Sequence, residues 1–322
     1  MPVGPYRETA VFVTGATGLV GASLVQRLLS FGAQVHALVL PTPEPESLLV
    51  RSGALGRVQV HTGALEEPAS VRAAVAAARP RYVFHLGAQA LVGAARGDPT
   101  GTFETNIRGT WSLLEACRGL DDPPIVAVAS SDKAYGRSEK LPYVETDPLA
   151  GSEPYEASKA ITDILAQTYA RTYGLPTRIA RCGNIYGIGD WNWSRIVPGT
   201  VRSLLRGERP VLRSDGSPIR DYIHVDDVVS GYLTMASAEG AAPGEAFNFS
   251  SGERRTAREV VDLVTAAVGG KVEPIILNEA VGEIPVQYLD STKARRMLGW
   301  EAKRRLAESL PEVVAWYREL LA

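Results

Sequence analysis

Apolar residues in the first 180 positions come in short unbroken runs rather than in alternation. Ala10–Thr14 (AVFVT), Gln34–Leu40 (QVHALVL), Val58–His61, Tyr82–Leu86 (YVFHL), Ile125–Ala129 (IVAVA) and Thr177–Arg181 read as strands covered on both faces. Between them lie helical stretches at Leu19–Ser30, Pro68–Ala78, Thr100–Cys117 and Pro154–Tyr173. Strands and helices alternating at this spacing predict an α/β fold, a doubly wound parallel sheet with right-handed crossovers. Beyond Tyr186 the pattern loosens. Loops containing Gly and Pro surround Trp191–Pro198 and Ser214–Pro218, and helices are expected near Ile196–Arg206, Val225–Ala238, Thr256–Val268 and about Leu306–Leu321. The chain thus divides into a unit over 1–186 and a smaller C-terminal lobe over 187–322, with segments around 220–250 returning to the first. No repeat of 20–50 residues is visible, and Pro41–Pro45 is a loop after the second strand, not a linker.

Composition narrows the classes. The 322 residues are 45% hydrophobic and 22% charged, with a formal net charge of −2. That is the balance of a soluble globular protein, without the basic field that nucleic-acid binding would use. The clusters Arg295-Arg296 and Lys303-Arg304-Arg305 read as solvated helix faces. Two cysteines, Cys117 and Cys182, are too few for a disulfide framework, which fits a reducing, cytoplasmic setting. Met1–Thr9 lacks the layout of a signal peptide. The apolar run Ala10–Val25 is interrupted at Thr14, Gly15, Gly18 and Gly21, too soon to span a membrane. No metal site is expected.

Those glycines are the first sign of chemistry. Thr14-Gly15-Ala16-Thr17-Gly18-Leu19-Val20-Gly21 places Gly-x-x-Gly-x-x-Gly between the first strand and the first helix. Such a turn needs residues without a Cβ so that the backbone can approach a pyrophosphate, and the helix N-terminus then offers free N–H groups. A Rossmann-type NAD(P) site is expected in the 1–186 unit, with Gly15, Thr17, Gly18, Leu19 and Val20 at the cofactor. The second strand ends in Leu40-Pro41-Thr42, with no acid before Glu44 to grip ribose hydroxyls and no Arg for a 2′-phosphate. Gly63-Ala64-Leu65 after the third strand likewise carries no Asp. NAD is the cofactor favoured; NADP stays open.

Tyr155 and Lys159 (YEASK) stand four apart, on one face of a helix. A tyrosinate at pH 7 requires roughly 4 kcal/mol. One cation about 4 Å away, at an effective dielectric of about 20, supplies that order of energy. Lys159 and a positive nicotinamide ring together would suffice; an ordinary surface pair is the other reading. Ser130-Ser131-Asp132-Lys133-Ala134-Tyr135-Gly136 follows the fifth strand, and ligands of open α/β sheets bind beyond the carboxyl ends of strands. A hydroxyl, a carboxylate and an amine there make an acid/base set, or else a turn that caps the next segment.

Taken together these residues resemble the extended short-chain dehydrogenases/reductases, the NAD-dependent nucleotide-sugar epimerase/dehydratase family, over nearly the whole chain. The likeness extends to His85-Leu86-Gly87-Ala88-Gln89, Asn106, Arg181-Cys182-Gly183-Asn184-Ile185-Tyr186-Gly187, Arg220-Asp221-Tyr222-Ile223-His224-Val225-Asp226-Asp227 and Asp290-Ser291-Thr292-Lys293. It implies a Ser131, Tyr155 and Lys159 triad, with Leu86, Gly87, Ala88 and Gln89 beside NAD. It also implies a nucleotide-sugar substrate contacted by Asn184, Arg195 and Arg220, with Asn184 and Arg220 at the diphosphate. Ser131-Asp132-Lys133, Ala88–Val92 and Gly187–Trp191 through Arg195–Pro198 are similar to the CDP-glucose 4,6-dehydratase group, whereas Arg220–His224 is closer to the 4-epimerases. In the dehydratase reading the resemblance makes Asp132 the acid of the water loss and Lys133 the candidate base, acting directly or through water or Tyr155; the other reading of Lys133 is a mere partner of Asp132 or of a substrate oxygen. A 4-epimerase using the same transient oxidation, and a non-catalytic NAD(P)-binding regulator, are the alternatives. Thr100–Cys117 and Pro154–Tyr173 carry apolar residues on more than one face, among them Trp111, Leu113, Leu114, Ile161, Ile164 and Leu165. Relatives pair such helices in a homodimer, which is the assembly expected.

Overall fold

The unbroken apolar runs become the strands of one parallel sheet. The structure is a computed structural model and describes residues 4–280 and 282–322; the Met1–Thr9 reading begins in residues outside that range. The strands are β1 (Ala10–Thr14), β2 (Gln34–Val39), β3 (Gln59–Thr62), β4 (Tyr82–His85), β5 (Ile125–Ala129) and β6 (Thr177–Cys182). Three short strands follow: β7 (Asn184–Tyr186), β8 (Val211–Leu212) and β9 (Ile219–His224). Next comes β10 (Glu245–Phe249), which returns to complete the seven-stranded sheet in the order β10-β6-β5-β4-β1-β2-β3. Every pairing in it is parallel. The order reverses between β1 and β4, and the crevice beyond the strand ends at such a reversal is where ligands bind.

Alternate residues of each strand serve opposite faces. Val11 and Val13 join one core with Leu24, Leu28 and Val228, under the helices Leu19–Ser30 and Val225–Ser237. Phe12 joins the other with Val75, Leu113, Leu114 and Ala166, under Pro68–Ala78, Gly109–Arg118 and Pro154–Tyr173. A third core, with Val201, Val260, Val264, Val313 and Tyr317, lies under Ile196–Leu205, Ala257–Val268 and Leu306–Leu321. Beside it β9 pairs with β7, with β11 (Arg254–Thr256) and with β13 (Val286–Gln287), while β12 (Ile275–Ile276) pairs with β8. Among the described residues no helix is long and apolar enough to cross a membrane.

Two local features position the site. The helix expected over Thr100–Cys117 is not continuous. It runs Pro99–Phe103, passes through one π turn over Glu104–Arg108, and resumes as Gly109–Arg118. At that turn the carbonyl of Asn106 accepts from Thr110 Oγ1 at 2.5 Å and Thr162 Oγ1 at 3.0 Å. The helix Pro154–Tyr173 starts where Pro154 enters the first turn and Glu153 and Glu156 form a reciprocal cap; Gly174, at φ 70°, ends it. This cap puts Tyr155 in the first turn, with Lys159 and Asp163 below it on the same face.

Asp163 is fully buried and meets the guanidinium of Arg181 on β6 through two bonds, of 2.7 and 3.0 Å. Arg181 also donates to the Tyr135 hydroxyl at 2.8 Å and the Glu145 carbonyl at 3.0 Å. One buried cation thus joins the helix, the sheet and the segment after β5. Removing one partner of a buried pair leaves an uncompensated charge, so Asp163→Ala should lower stability by about 3–5 kcal/mol. Urea unfolding checks this, and a loss below about 1 kcal/mol, the range of exposed pairs, would show that the pair holds little.

Candidate active site

β1 ends at Thr14 and the chain turns at Gly15, whose φ is +68°. A Cβ on Gly15 would lie 2.6 Å from the Gly87 nitrogen, and one on Gly21 would lie 2.0 Å from the Gly15 carbonyl oxygen. The turn is therefore folded against the end of β4 with no room for a side chain. Gly18 caps the helix Leu19–Ser30 without a side-chain bond, leaving first-turn N–H groups of Leu19 and Val20 directed out of the helix end. A cradle of this kind fits a dinucleotide pyrophosphate. Thr14 Oγ1 contacts His85 Nδ1 at 2.8 Å and accepts from the Gly87 N–H at 3.0 Å, while His85 Nε2 meets Thr110 Oγ1 at 2.9 Å. Burial, then the charge of Lys159, pushes the imidazole down to about 3, so it stays neutral. The Asn106 amide pins Gln89 by accepting from its N–H at 2.7 Å and donating to its carbonyl at 3.1 Å, and it also donates to Ser158 Oγ at 2.9 Å. These bonds set Leu86, Gly87, Ala88 and Gln89 beside the glycine turn. Leu40, beyond β2, is 58% exposed.

The second cluster grows from β5. Ser131 caps the short turn Asp132–Tyr135, its Oγ accepting from the Lys133 N–H at 3.2 Å and donating to Asp132 Oδ1 at 3.0 Å. Tyr155 hydrogen-bonds to the same side chain. Burial pushes the Tyr155 phenol up to about 12 against that bond, and Asp132 pushes it further. The Lys159 amine donates to the Ala129 carbonyl at 2.9 Å, and burial brings it down to about 8. In the protein alone the phenol is thus raised, not lowered: burial leads, and the opposing influences are the Ser131 bond and the charge of Arg195.

Asp132 is 2% exposed, and its Oδ2 has no partner. Lys133 Nζ donates to Gln287 Oε1 at 2.6 Å, and Gln287 Nε2 donates to the Asp132 carbonyl at 3.0 Å. Burial pushes the Lys133 amine down, with Asp132 opposing. Gln287 escaped the sequence reading: it lies 154 residues from Lys133, and its only cue was the family-like Asp290–Lys293 just beyond it. Asp221, 1% exposed, accepts from Ser251 N–H and Oγ, and burial brings it up to about 6, the Asp132 charge adding to the rise.

The three expected substrate residues line the same region. Asn184 on β7 hydrogen-bonds to the Tyr222 phenol of β9, its partner in register. Arg220, next to Tyr222, pairs with Glu283 at 3.1 Å, and its charge is felt at Lys133. Arg195 donates to both oxygens of the buried Asp190 at 3.3 Å, and its charge is felt at Tyr155. Among the described residues no group of His, Cys, Asp and Glu could hold a metal ion.

Residues 11–250 match the family described as NAD dependent epimerase/dehydratase. The chain is 31% identical over 326 residues to the CDP-glucose 4,6-dehydratase of Salmonella typhimurium, a match covering 96% of this chain and 90% of that one. A UDP-glucose 4-epimerase of Thermotoga maritima, solved with UDP-glucose, superposes with a TM-score of 0.88 at 30% identity, over 97% of this chain and 99% of that one. A dTDP-glucose 4,6-dehydratase of Streptomyces venezuelae, solved with NAD and TYD, superposes at 0.86 with 29% identity, over 96% and 97%. This chain belongs to the NAD-dependent epimerase/dehydratase family, a family of enzymes acting on nucleotide sugars.

The glycine turn yields a paired test. A Cβ on Gly18 would meet only the Gly15 carbonyl oxygen, at 3.4 Å, so Gly18→Ala is accommodated by the protein itself. It should keep a wild-type urea midpoint yet weaken NAD binding about tenfold or more by calorimetry. Gly21→Ala should lose stability outright. Wild-type NAD affinity in Gly18→Ala would put the pyrophosphate elsewhere.

Proposed function

We propose that this chain is an NAD-dependent nucleotide-sugar 4,6-dehydratase, converting an NDP-hexose of the CDP-glucose kind into the NDP-4-keto-6-deoxyhexose and water. The observation that carries the reading is the Asp132-Lys133 pair beside Ser131 and Tyr155. A buried carboxylate with one unpartnered oxygen adjoins an amine brought down by burial. An epimerase, which only lifts and returns a hydride at C4, has no use for them.

The chemistry that NAD supplies when bound, held at Gly15, Thr17, Gly18, Leu19, Val20 and Leu86–Gln89, is reversible hydride storage, so the reaction consumes no reductant. Tyr155, hydrogen-bonded to Ser131, accepts the proton of the C4 hydroxyl as C4 becomes a ketone. Its phenol, at about 12 in the protein alone, needs added positive charge to do so near neutrality. The ketone acidifies the C5 proton, which Lys133 removes. The C6 hydroxyl leaves as water with a proton from Asp132. Lys133 returns its proton to C5, and with the hydride that NAD would give back at C6 the sum is loss of one water. Arg220, now held by Glu283, is the cation for the diphosphate, with Asn184 beside it, and Arg195, now held by Asp190, is a further substrate contact.

A second reading, a 4-epimerase, is favoured by the 0.88 TM-score to the Thermotoga maritima enzyme. Mass spectrometry after incubation with a panel of NDP-hexoses separates the two. Loss of one water without added cofactor supports the dehydratase; an isomer of unchanged mass supports the epimerase. In solvent deuterium, Asp132→Asn should exchange the C5 proton without losing water, and Lys133→Met should do neither. Normal C5 exchange in Lys133→Met would remove Lys133 as the base.

A homodimer is part of the proposal. Leu113 and Leu114 are buried in the chain's own core, but Trp111, Ile161 and Ile164 are 43%, 38% and 50% exposed on packed neighbouring helices. We place the NAD side in residues 1–186 with returning segments near 220–250, and the sugar side mainly in 187–322. The free, buried Cys117 and Cys182 suit a reducing, cytoplasmic setting. Light scattering at micromolar concentration should give twice the chain mass, and Ile164→Asp should halve it; a monomeric wild type would sink the dimer.

A further inference from the structure

A lysine base has to be aimed, and it has to be able to give up its proton. Its four-carbon stem is flexible and its ammonium strongly hydrated, so neither comes free. In this site both requirements meet at one side chain, Gln287. It is fully buried on β13, in register with Arg220 of β9. Its carboxamide spans two groups: Oε1 accepts from Lys133 Nζ at 2.6 Å, and Nε2 donates to the Asp132 carbonyl at 3.0 Å. The second bond fixes the first. With the NH2 group turned to a carbonyl, which can only accept, the oxygen must face the amine. The same carbonyl belongs to the proposed acid, so one amide sets the spacing of Asp132 and Lys133.

The acceptor is also neutral. A carboxylate at this point would hold the ammonium form and oppose deprotonation. The charges felt at the amine are Asp132, Glu156 and Glu283, which favour the ammonium, and Arg220, which opposes it. Gln287 grips the amine without adding to that acidic set. Four residues earlier, Glu283 holds Arg220, so one short segment restrains both the proposed base and a cation proposed for the diphosphate.

We propose that Gln287 is the positioning residue of the water-loss step: its carboxamide aims Lys133 at the C5 proton and fixes it relative to Asp132 while carrying no charge. This rests on the dehydratase reading. The test compares the wild type with Gln287→Met, Gln287→Glu and Gln287→Asn in dehydration kinetics over pH 5–10 with CDP-glucose or whichever NDP-hexose loses water. Gln287→Met should lower kcat about 10–100-fold, at or below the lower end of a whole general-base contribution because Lys133 itself remains, with KM within about threefold. Gln287→Asn should recover part of the loss. Gln287→Glu should move the ascending, acid-side limb of the kcat profile, which reports loss of the Lys133 proton, upward by about one pH unit or more, even though it also forfeits the bond to the Asp132 carbonyl. Folded variants with wild-type kcat and an unmoved limb would overturn the assignment, as would equal losses in all three with no movement of the limb in Gln287→Glu, the mark of a merely structural side chain. A wild-type enzyme that removes water from no NDP-hexose overturns the dehydratase reading and this inference with it. A working dehydratase indifferent to Gln287 overturns the inference alone.

Discussion

The site hangs on the ion pair between Arg181 and Asp163. A guanidinium and a carboxylate are each costly to bury, and they are tolerated only when their bonds are filled. Here the carboxylate receives two bonds from the guanidinium and a third from Gln167 Nε2, and the guanidinium spends the rest on Tyr135 and Glu145. The partners come from a strand, a helix and the turn after β5. Moving any one of them by an ångström would strand a charge, so their mutual geometry has few alternatives. Lys159 and Tyr155 stand about one and two turns above Asp163, and Ser131–Lys133 lie just ahead of Tyr135. The reacting groups are therefore located by a pair that itself need touch no substrate.

What the sequence revealed, and what it hid, follows from how far each contact reaches along the chain. Strands covered on both faces are unbroken apolar runs, so β1, β2, β4, β5 and β6 were found within a residue or so of their ends. β10 was not separately found, because Asn248 interrupts EAFNF; that amide accepts the Tyr135 hydroxyl at 2.8 Å. The strands of the smaller sheet, β7, β11 and β13, are two or three residues long, and nothing local marks them. Their pairing with β9 is decided by contacts far apart in sequence. The π turn was also invisible, since one extra residue does not disturb a helical signal enough to be noticed.

The same rule holds at the site. Glycine spacing, Tyr155 with Lys159, and Ser131-Asp132-Lys133 are local patterns. Glu283, Asp190 and Gln287 hold Arg220, Arg195 and Lys133, and of these only Asp190 lies near its partner in the chain. Electrostatics were the least legible. The spacing of Tyr155 and Lys159 suggested a depressed phenol, but spacing carries no account of desolvation, which in the folded chain raises the phenol and lowers the amine.

The π turn has a consequence for the outside of the molecule. An α-helix advances about 100° per residue, so positions eight apart lie roughly 80° out of phase. Phe103 and Trp111 are eight apart, but the turn between them absorbs one residue. Counted as seven, they differ by only about 20°. Both are exposed, at 38% and 43%. The inserted residue, in the turn that carries Asn106, thus acts as a phase corrector, bringing two aromatic positions toward one outer ridge that an uninterrupted helix would have splayed apart.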